Sequence, residues 1–309
     1  MNIVSLFSGI GGLDKGFINN GFNVIWANDF DKYAVQTYQA NYDNHIELGD
    51  INTIPFERIP DFDVLIGGFP CQPFSMMGAQ RGFEDARGTL FFRIVEILNY
   101  KIQHGNMPRA IILENVRSLK THDNGRTFAT IRRILENLGF NFFAKILNSA
   151  DYGIPQKRNR TYIVCFANEQ AEFNFPNPVE LTITLQDLLE QNVEEKYFLS
   201  EKILPTILSN GTGGYVGKSE IDLKIARPLC ATMAKMHRAC QDNYVTQKGH
   251  VRRLTPRECA RLQGFDDDFI IPVSNSQAYK QFGNAVTVNV SNAVAREVRR
   301  TLETLGEWH

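Results

Sequence analysis

A cysteine stands between two prolines in the run GGFPCQPFS, residues 67–75. The run follows an apolar stretch, residues 63–67, that is typical of a strand, so Cys71 lies just beyond the carboxyl end of that strand. The prolines restrict the backbone, and a thiol held near a helix start or near cationic groups has a favoured thiolate form. Because a thiolate is a strong nucleophile, the run indicates that Cys71 has a chemical rather than a structural role.

A carboxyl group and two guanidinium groups accompany other predicted strands. Glu114 follows the strand that begins at Ala110, in the run LENV, and the run QKRNR places Arg158 and Arg160 just before a strand at 162–166. Alternate residues of an extended chain project to one side, so the two arginines can act together. The sequence thus offers a nucleophile, a carboxyl group and two cations for one site.

The first predicted strand runs into a glycine-rich turn, FSGIGG at residues 7–12. Glycines at the start of a helix allow the backbone to pass close to a ligand. The turn departs from the dinucleotide fingerprint, because the third glycine of G-x-G-x-x-G falls on Asp14. A bulky anion at that position disfavours a pyrophosphate group.

Acidic residues follow the next two strands. Asp29 and Phe30 end the second strand, where a carboxylate would meet a ribose diol and an aromatic ring would stack on a base. Asp50 and Ile51 follow a third strand, which precedes the one at 63–67, and would address the adenine. Each acidic residue alone could simply cap a helix, but their order along the chain favours an adenosine group without a diphosphate.

Apolar runs and amphipathic segments alternate along the first half of the chain, with strand and helix periods respectively. The predicted strands are 3–7, 22–27, 63–67, 110–113, 140–147 and 162–166, and the predicted helices are 12–20, 31–41, 89–103 and 125–138. This alternation predicts an α/β fold with a doubly wound, mostly parallel sheet. Ligands of such sheets bind at the carboxyl ends of the strands.

The alternation of strand and helix patterns ends after about residue 178, and residues 188–274 are interpreted as a smaller second domain. Near its end, Thr255 is placed as an N-cap, Pro256 at the first helical position and Glu258 for a capping box, with Gly264 ending the helix. A last helix at 287–305 carries an apolar face, and we expect it to pack onto the first domain.

Composition excludes several classes of protein. The 309 residues carry a net charge of -1, and the five cysteines are Cys71, Cys165, Cys230, Cys240 and Cys259. Their scattered spacing predicts reduced thiols and neither a metal site nor a disulfide framework. No apolar run approaches the roughly 18 residues of a membrane span, so a soluble cytoplasmic protein is expected. Residues 227–261 are mostly basic and suit phosphate, although a solvated mixed surface explains them equally well.

Six motifs together resemble a known family. FSGIGG, PCQPFS, ENV, QKRNR, RRLTPRECARLQGF and QAYKQFGNAV follow in the order found in bacterial DNA cytosine-5 methyltransferases, between residues 7 and 286. The resemblance implies a Rossmann-like, S-adenosylmethionine-dependent methyltransferase fold. It also implies a catalytic and cofactor-binding domain at 1–187 plus 275–309, and a DNA target-recognition domain at 188–274.

The resemblance assigns roles to the reactive residues. Cys71 would attack C6 of a flipped-out cytosine, and Glu114 would hydrogen-bond the base at N3 and its exocyclic amine. Arg158 and Arg160 would hold the base's carbonyl oxygen and organise the other two residues. Residues 76–88 would close over DNA as a loop. The base that removes the C5 proton is not identified.

Binding residues follow from the same motifs. The residues expected to bind S-adenosyl-L-methionine, and its product S-adenosyl-L-homocysteine, are Phe7, Gly9, Gly11, Asp29, Phe30, Asp50, Ile51, Pro70, Leu90, Asn284 and Val286. The residues expected to bind DNA are Gln80, Arg87, Thr232, Lys235, His237, Arg238 and Arg252. Ala285 stands where some family members have serine, which puts one hydroxyl contact to the cofactor in question.

Double-stranded DNA is the expected partner, in a bacterial cytoplasm and at the nucleoid. A restriction endonuclease would share the cell without binding, and the chain would act as a monomer. Three alternatives stay open: a tRNA cytosine-5 methyltransferase of the same fold, an inactive DNA-binding paralogue, and a nicotinamide oxidoreductase. Asp14 opposes the oxidoreductase, and the intact reactive residues oppose the inactive paralogue. The recognition sequence cannot be read from the chain, because no general code links side chains to bases.

Overall fold

The computed structural model describes residues 1–42, 45–70, 90–210, 217–235 and 238–309. Four residues with expected roles, Cys71, Gln80, Arg87 and His237, lie outside these ranges, as does the expected DNA-covering loop at 76–88. The described chain forms two compact units. Unit 1 comprises Met1–Leu147, Asn159–Asn177 and Ser291–His309, and unit 2 comprises Asn148–Arg158 and Pro178–Val290.

A seven-stranded sheet forms the centre of unit 1 within the described ranges. Its strands are β1 (Asn2–Leu6), β2 (Asn23–Asp29), β3 (Ile46–Leu48), β4 (Val64–Gly67), β5 (Ala110–Val116), β6 (Asn141–Asn148) and β7 (Asn159–Phe166). Their order across the sheet is β3-β2-β1-β4-β5-β7-β6. The first five strands pair in parallel, and β7 runs antiparallel to β5. The predicted α/β class with a mostly parallel sheet is confirmed.

The helices that were predicted begin close to their expected positions. Unit 1 contains α1 (Gly12–Ile18), α2 (Lys32–Asn41), α3 (Leu90–Gln103) and α4 (Arg126–Asn137), and unit 2 contains α5 (Leu204–Leu208), α6 (Pro256–Leu262) and α7 (Asn275–Asn284). The last helix, α8 (Val288–Thr304), begins in unit 2 and continues in unit 1 from Ser291. None of the helices in the described ranges is long and apolar enough to cross a membrane.

The core of unit 1 lies where the central strands meet α3 and α4. Strand residues such as Val4, Leu65 and Ile111 are fully buried, together with Ile94 of α3 and Ile131 of α4. Parallel strands covered on both faces have continuous apolar sequences rather than alternating ones. This explains why the strands could be recognised in the sequence as short apolar runs, and it gives the ends of the strands a rigid base.

The last helix packs against the first one through a glycine. A Cβ atom on Gly16 of α1 would lie 2.3 Å from the Ser291 Oγ atom of α8, so a side chain there would clash. Ser291 Oγ in turn donates a hydrogen bond to the carbonyl oxygen of Leu13, at 2.6 Å. The expected return of the C-terminal helix to the first part of the chain is confirmed by these contacts.

Unit 2 contains a hairpin and a helix with a strong start signal. Strands β8 (Tyr244–Gln247) and β9 (His250–Arg253) pair antiparallel. In the following helix α6, the Thr255 side chain accepts the Glu258 N–H and the Glu258 side chain accepts the Thr255 N–H. This capping box, Pro256 at the first position and a left-handed Gly264 after the last turn confirm the local prediction.

The compact units divide the chain at other positions than the expected functional domains. Residues 148–158, 178–187 and 275–290 belong to unit 2 by compactness, whereas the sequence assigned them to the catalytic domain. Compactness does not show which residues recognise DNA. The functional division into 1–187 plus 275–309 and 188–274 therefore stays a prediction.

Candidate active site

The parallel strands of unit 1 end at one edge of the sheet, which we call the carboxyl rim. It carries residues 7–11 after β1, 29–30 at β2, 50–51 after β3, 69–70 after β4 and 114–116 at β5. These are the positions at which the sequence predicted a cofactor and reactive groups. Sheets of this kind bind ligands at this edge, so the topology brings the predicted unit 1 residues together.

The glycine-rich turn, residues 7–11, is a tight left-handed structure. Phe7, Gly9 and Gly11 have φ angles of 56°, 58° and 79°. A Cβ atom at Gly11 would lie 2.4 Å from the Tyr42 ring, and the Tyr42 hydroxyl donates a hydrogen bond to the Gly11 carbonyl at 3.0 Å. Glycine is required at Gly11 for both reasons, because other residues disfavour positive φ and would also clash with the ring.

Asp29 ties the glycine-rich turn to the end of β2. One carboxylate oxygen accepts the Gly9 N–H at 2.9 Å, and the other accepts the Asp31 N–H at 2.8 Å. Burial raises the pKa of Asp29, and the N–H donors of Asp31 and Gly9 oppose that shift. The adjacent Phe30 is 73% exposed, so its ring offers a surface on which a base can stack.

Hydrogen bonds and a buried side chain fix the segment after β3. Asp50 is exposed, and its side chain accepts the Asn52 N–H at 3.0 Å. Ile51 is 2% exposed and belongs to the hydrophobic core, which leaves it little surface for a direct cofactor contact. Its carbonyl accepts a hydrogen bond from Arg93 Nε at 3.0 Å. The helix-capping reading of the acidic residue is therefore realised at Asp50.

The remaining expected cofactor residues are divided between the units. In unit 1, Pro70 is exposed and Leu90 is partly buried against the core at the start of α3. In unit 2, Asn284 is exposed at the end of α7 and Val286 is half-buried. Their roles stay predictions.

The turn and the buried Asp14 fit adenosine better than a dinucleotide. Asp14 occupies the third-glycine position, is fully buried, and accepts hydrogen bonds from Ser5 Oγ at 2.8 Å and from the Tyr38 hydroxyl at 2.7 Å. A carboxylate in that position disfavours the close approach of helix and strand around a pyrophosphate. Phe30, whose ring is exposed, and Asp29, which is 8% exposed, occupy the positions expected to meet a base and a ribose.

Glu114 and Arg160 form an ion pair at the carboxyl rim. In the antiparallel β5–β7 pair, Glu114 lies opposite Tyr162 and Val116 lies opposite Arg160. Residues two apart share a face of the sheet, so Arg160 is the diagonal neighbour of Glu114. Arg160 Nε lies 3.1 Å from Glu114 Oε1, and the side chains are 21% and 10% exposed. A largely desolvated ion pair of this kind can orient a carboxyl group toward a substrate.

Asn115 is a positioning group that the sequence analysis missed. Its side chain is buried, Nδ2 donates to the Phe69 carbonyl at 2.7 Å, and Oδ1 accepts the Val116 N–H at 2.8 Å. It thereby fixes the backbone two residues before Cys71 to the strand that carries Glu114. The asparagine of the ENV run, at the end of a buried strand, was the signal available in the sequence.

The structure corrects the expected role of Arg158. The residue is 2% exposed, and Nη1 donates to the Leu229 carbonyl at 2.9 Å. Nη2 donates to the carbonyls of Gly283 and Ala285, at 3.0 and 2.8 Å. Because both terminal nitrogens bind backbone within unit 2, neither is available for the expected bond to the base oxygen. Arg158 instead braces two distant stretches of unit 2.

Gln156, two residues earlier, has a matching role in unit 2 that the sequence did not indicate. Its Oε1 accepts the Leu229 N–H at 2.9 Å, and its Nε2 donates to the Leu262 carbonyl at 2.7 Å. A Cβ atom on Gly283 would lie 2.2 Å from the Cys230 carbonyl carbon. The QKRNR run and Gly283 thus determine the path of the backbone at Leu229 and Cys230.

The expected DNA contact of Arg252 is wrong. Its side chain is fully buried, with Nη2 2.6 Å and Nη1 2.9 Å from the two carboxylate oxygens of Glu258, whose side chain is also fully buried. Arg252 Nε donates to Gln247 Oε1 at 2.6 Å. A guanidinium group buried and satisfied in this way cannot reach a phosphate group, and its charge serves the interior of unit 2.

The other expected DNA residues differ in exposure. Thr232 and Lys235 are exposed in unit 2. Arg238 is half-buried, and its Nε donates to Ser209 Oγ at 2.6 Å and to the Thr206 carbonyl at 3.3 Å. Lys235 therefore remains a candidate for phosphate contact, whereas Arg238 also holds the local fold.

No group of three or more potential metal ligands occurs among the residues that the structure describes. An open groove of about 550 Å³ lies at the opposite edge of the unit 1 sheet, near Asn2, Asp63 and Arg109. Arg109 lies 3.6 Å from Asp63 and 3.9 Å from Glu307, so charges of both signs neutralise each other there.

Comparisons with known proteins agree over nearly the whole chain. The model of the C-5 cytosine-specific DNA methylase family matches residues 1–300. The Type II methyltransferase M.NgoBI of Neisseria gonorrhoeae is 44% identical over 309 residues, covering 95% of this chain and 91% of the relative. The Type II methyltransferase M.HhaI of Haemophilus parahaemolyticus is 37% identical over 318 residues, with 98% and 95% covered.

A solved structure supports the fold independently. The S. pombe Dnmt2 methyltransferase superposes with a TM-score of 0.81, covering 99% of each chain at 22% sequence identity. At that identity the likeness concerns the fold alone.

Proposed function

The chain belongs to the C-5 cytosine-specific DNA methylase family and is a DNA (cytosine-5-)-methyltransferase; we propose that it methylates C5 of one cytosine within a short sequence of double-stranded DNA. The methyl donor is S-adenosylmethionine, as in the family generally. The observation that carries the proposal is the Glu114–Arg160 ion pair. The pair lies at the carboxyl rim, the same edge of the sheet that carries the glycine-rich turn.

The nucleophile is Cys71. Cytosine C5 is too weakly nucleophilic to accept a methyl group directly, so the thiolate first adds to C6 and forms an Sγ–C6 bond. The ring electrons then make C5 nucleophilic, and C5 takes the methyl group. Loss of the C5 proton to a base restores the double bond and expels the thiolate. Cys71 lies outside the described residues, so this step is supported by the PCQPFS motif.

Glu114 binds the target base and Arg160 orients Glu114. The Glu114 carboxyl group hydrogen-bonds the base at N3 and its exocyclic amine, so charge that develops on the ring meets a fixed polar group. Arg160 Nε holds Oε1 at 3.1 Å and limits the rotation of the carboxyl group. Asn115 holds the Phe69 carbonyl and thereby positions the backbone that leads into Cys71.

The unit 1 rim supplies the cofactor contacts. When bound, S-adenosylmethionine provides the electrophilic methyl carbon for the reaction. Asp29 offers its carboxylate to the ribose and Phe30 offers its exposed ring to the adenine, while the glycine-rich turn admits the ligand close to its backbone. The motifs also assign Pro70, Leu90, Asn284 and Val286 to the cofactor.

DNA recognition falls to residues 188–274, with Thr232 and Lys235 exposed there. The target cytosine must leave the helix stack, because its ring faces are covered by neighbouring bases, and methyltransferases are a general example of such base flipping. The enzyme acts as a monomer at the bacterial nucleoid and protects DNA from a restriction endonuclease in the same cell. Its Type II relatives support this pairing.

The first experiment is transfer of radiolabelled methyl from S-adenosylmethionine to mixed-sequence duplex DNA, followed by bisulfite sequencing. We expect protection of cytosines at one short motif. Label that appears only in added tRNA would identify an RNA enzyme of the same fold. Absence of label from both, with DNA still bound, would identify an inactive DNA-binding paralogue.

A second experiment tests the covalent step. DNA that carries 5-fluorocytosine at the target position has no C5 proton to lose, so the Sγ–C6 bond is not released. A protein–DNA adduct that withstands denaturing electrophoresis and maps to Cys71 is expected. Turnover on cytosine without any trapped adduct would contradict covalent catalysis.

A further inference from the structure

A buried carboxylate lies directly behind the glycine-rich turn. Asp14 is fully buried in α1, although an isolated buried carboxylate is costly. Its two oxygens are satisfied separately, since Ser5 Oγ donates to Oδ1 at 2.8 Å and the Tyr38 hydroxyl donates to Oδ2 at 2.7 Å. No step of the proposed reaction uses Asp14, so its presence in the core calls for another reason.

The hydrogen bonds continue from Asp14 into the turn. Ser5 Oγ accepts the Ser8 hydroxyl at 2.9 Å, and Ser8 is a residue of the glycine-rich turn. The Ser8 N–H donates to the Asn28 carbonyl at 3.0 Å, next to Asp29. The turn is therefore connected to Asp14 by hydroxyl groups on one side, and to the end of β2 on the other.

The series of hydrogen bonds also continues from Asp14 through Tyr38 of α2 to His45. The Tyr38 hydroxyl lies 2.8 Å from Nε2 of His45, which is half-buried. A phenol has one hydrogen, and here it points to Asp14, so His45 Nε2–H must be the donor to the tyrosine oxygen. The donors on both sides thus converge on one acceptor, the Asp14 carboxylate.

The same face of α2 touches the turn a second time. The rings of Tyr38 and Tyr42 pack at 4.6 Å, and the Tyr42 hydroxyl donates to the Gly11 carbonyl at 3.0 Å. Fixing Tyr38 by its bond to Asp14 therefore also fixes Tyr42. Two routes, through Ser5–Ser8 and through Tyr38–Tyr42, link the carboxylate to the backbone that receives the cofactor.

We propose that Asp14 is a positioning residue that holds residues 7–11 in their cofactor-binding conformation through Ser5–Ser8 and through Tyr38–Tyr42. The proposal rests on the proposed function, because it concerns the S-adenosylmethionine site of that reaction. It assigns a purpose to the acidic residue that replaces the third glycine of a dinucleotide turn. The acceptor must be ionised, since a protonated Asp14 would have to turn one of its two donors away.

The test is equilibrium binding of S-adenosylhomocysteine to the full-length protein, measured by calorimetry. Asp14→Asn places an amide NH₂ against a donating hydroxyl, and Tyr38→Phe removes one donor while keeping the ring. We expect each to raise the Kd by about tenfold, the effect of losing one hydrogen bond to a charged group. Thr37→Val is the matched control, because it removes another buried hydroxyl of α2, one that bonds the Tyr33 carbonyl.

A second readout uses the protein without cofactor. Hydrogen exchange of the peptide that contains residues 7–11 should be faster in Asp14→Asn and Tyr38→Phe than in the wild type and Thr37→Val. Ser8→Ala removes the bonds of the Ser8 hydroxyl to Ser5 and to the Asn28 carbonyl but leaves Tyr38 and Tyr42 in place, so it should increase the Kd less than Asp14→Asn does. It keeps the proposal testable if Asp14→Asn fails to fold.

The outcomes separate the proposal from the function. Variants with lower melting temperatures but unchanged Kd and unchanged exchange of residues 7–11 would overturn the positioning role, because Asp14 would then support only the core. A wild-type protein that binds no S-adenosylhomocysteine and transfers no methyl group would instead overturn the proposed function. A raised KM for the cofactor with an unchanged KM for DNA would support the positioning role.

Discussion

Arg160 reaches Glu114 diagonally across the β5–β7 pair, with 3.1 Å between Arg160 Nε and Glu114 Oε1. The contact exists because β7 runs antiparallel to β5, which brings the start of one strand beside the end of the other. The QKRNR and ENV runs, more than forty residues apart in the sequence, supply one residue each to this ion pair.

Arg160→Lys tests whether this geometry matters. Lysine keeps the positive charge but loses the planar fork of the guanidinium group, so Glu114 is less well oriented. We expect kcat to fall by about 100-fold, the usual effect of removing one fixed polar group from a reacting centre. Steady-state kinetics measure this. Arg132→Lys, which alters the exposed Arg132–Glu136 pair of α4, is the control, and equal losses in both variants would refute a specific role.

Cys71→Ser should abolish methyl transfer while S-adenosylhomocysteine binding is retained. A hydroxyl group without a strong neighbouring base is a far weaker nucleophile than a thiolate. Single-turnover assays and calorimetry report the two properties. Cys240→Ser, at a half-buried thiol outside the proposed site, should keep wild-type turnover. Activity of Cys71→Ser comparable to that of Cys240→Ser would exclude the covalent route.

Arg252→Ala should destabilise the protein by about 3 to 5 kcal/mol, because it leaves the buried Glu258 carboxylate without its partner. Urea unfolding measures the free energy. Lys218→Ala, which breaks an exposed pair with Glu220, should cost at most about 1 kcal/mol. Under conditions in which the variant stays folded, Arg252→Ala should leave the salt dependence of DNA binding unchanged. A smaller slope of log K against log salt for the variant would show that Arg252 does contact a phosphate group, despite its burial.

Lys235→Ala should weaken DNA binding most at low salt. An exposed lysine that neutralises one phosphate releases about 0.9 of a counterion, so its loss reduces the slope of log K against log salt by about that amount. Fluorescence anisotropy over a salt series measures the slope. Lys145→Ala, at an exposed position of β6, is the control. Identical slopes for Lys235→Ala and the wild type would show that Lys235 contacts no phosphate.

The free energy of unfolding should depend on pH through the titration of Asp14. Burial raises its pKa from 3.8 to about 6, although bonds from Tyr38 and Ser5 act in the opposite direction. The folded state therefore binds more protons than the unfolded state between these values, and stability must fall as the pH rises from about 4 to about 6. Over that window, wild type should lose about 3 kcal/mol relative to Asp14→Asn, which does not titrate. Urea unfolding of both proteins at several pH values would show it, and parallel curves would contradict the raised pKa.

Local signals in the sequence predicted local structure well. Thr255, Pro256, Glu258 and Gly264 are a complete set of helix-boundary residues within ten positions, and α6 begins and ends accordingly. The buried strands of unit 1 were recognised because both faces are covered, which leaves apolar runs. The β8–β9 hairpin was missed because its strands are short and polar and its turn is Lys248-Gly249 rather than a strong turn pair.

Partners distant in the sequence were beyond such reasoning. An arginine in a basic stretch has the same local appearance whether it meets phosphate or a buried carboxylate, and only folding shows that Arg252 meets Glu258. Arg158 was likewise placed at the base, but its bonds go to carbonyl groups 71 to 127 residues away. In both cases the sequence showed a guanidinium group that needs an acceptor, but it did not show which acceptor the folded chain supplies.

The direction of β7 also limits how such a chain can evolve. Val116 pairs with Arg160 at one end of the strand and Ala110 pairs with Phe166 at the other. Residues inserted ahead of Asn159 would emerge beside Glu114, whereas residues inserted after Phe166 would emerge at the far edge of the sheet. An insertion ahead of β7 would therefore alter the surroundings of Glu114, and the opposite end of the same strand is where a fusion partner would disturb the chemistry least.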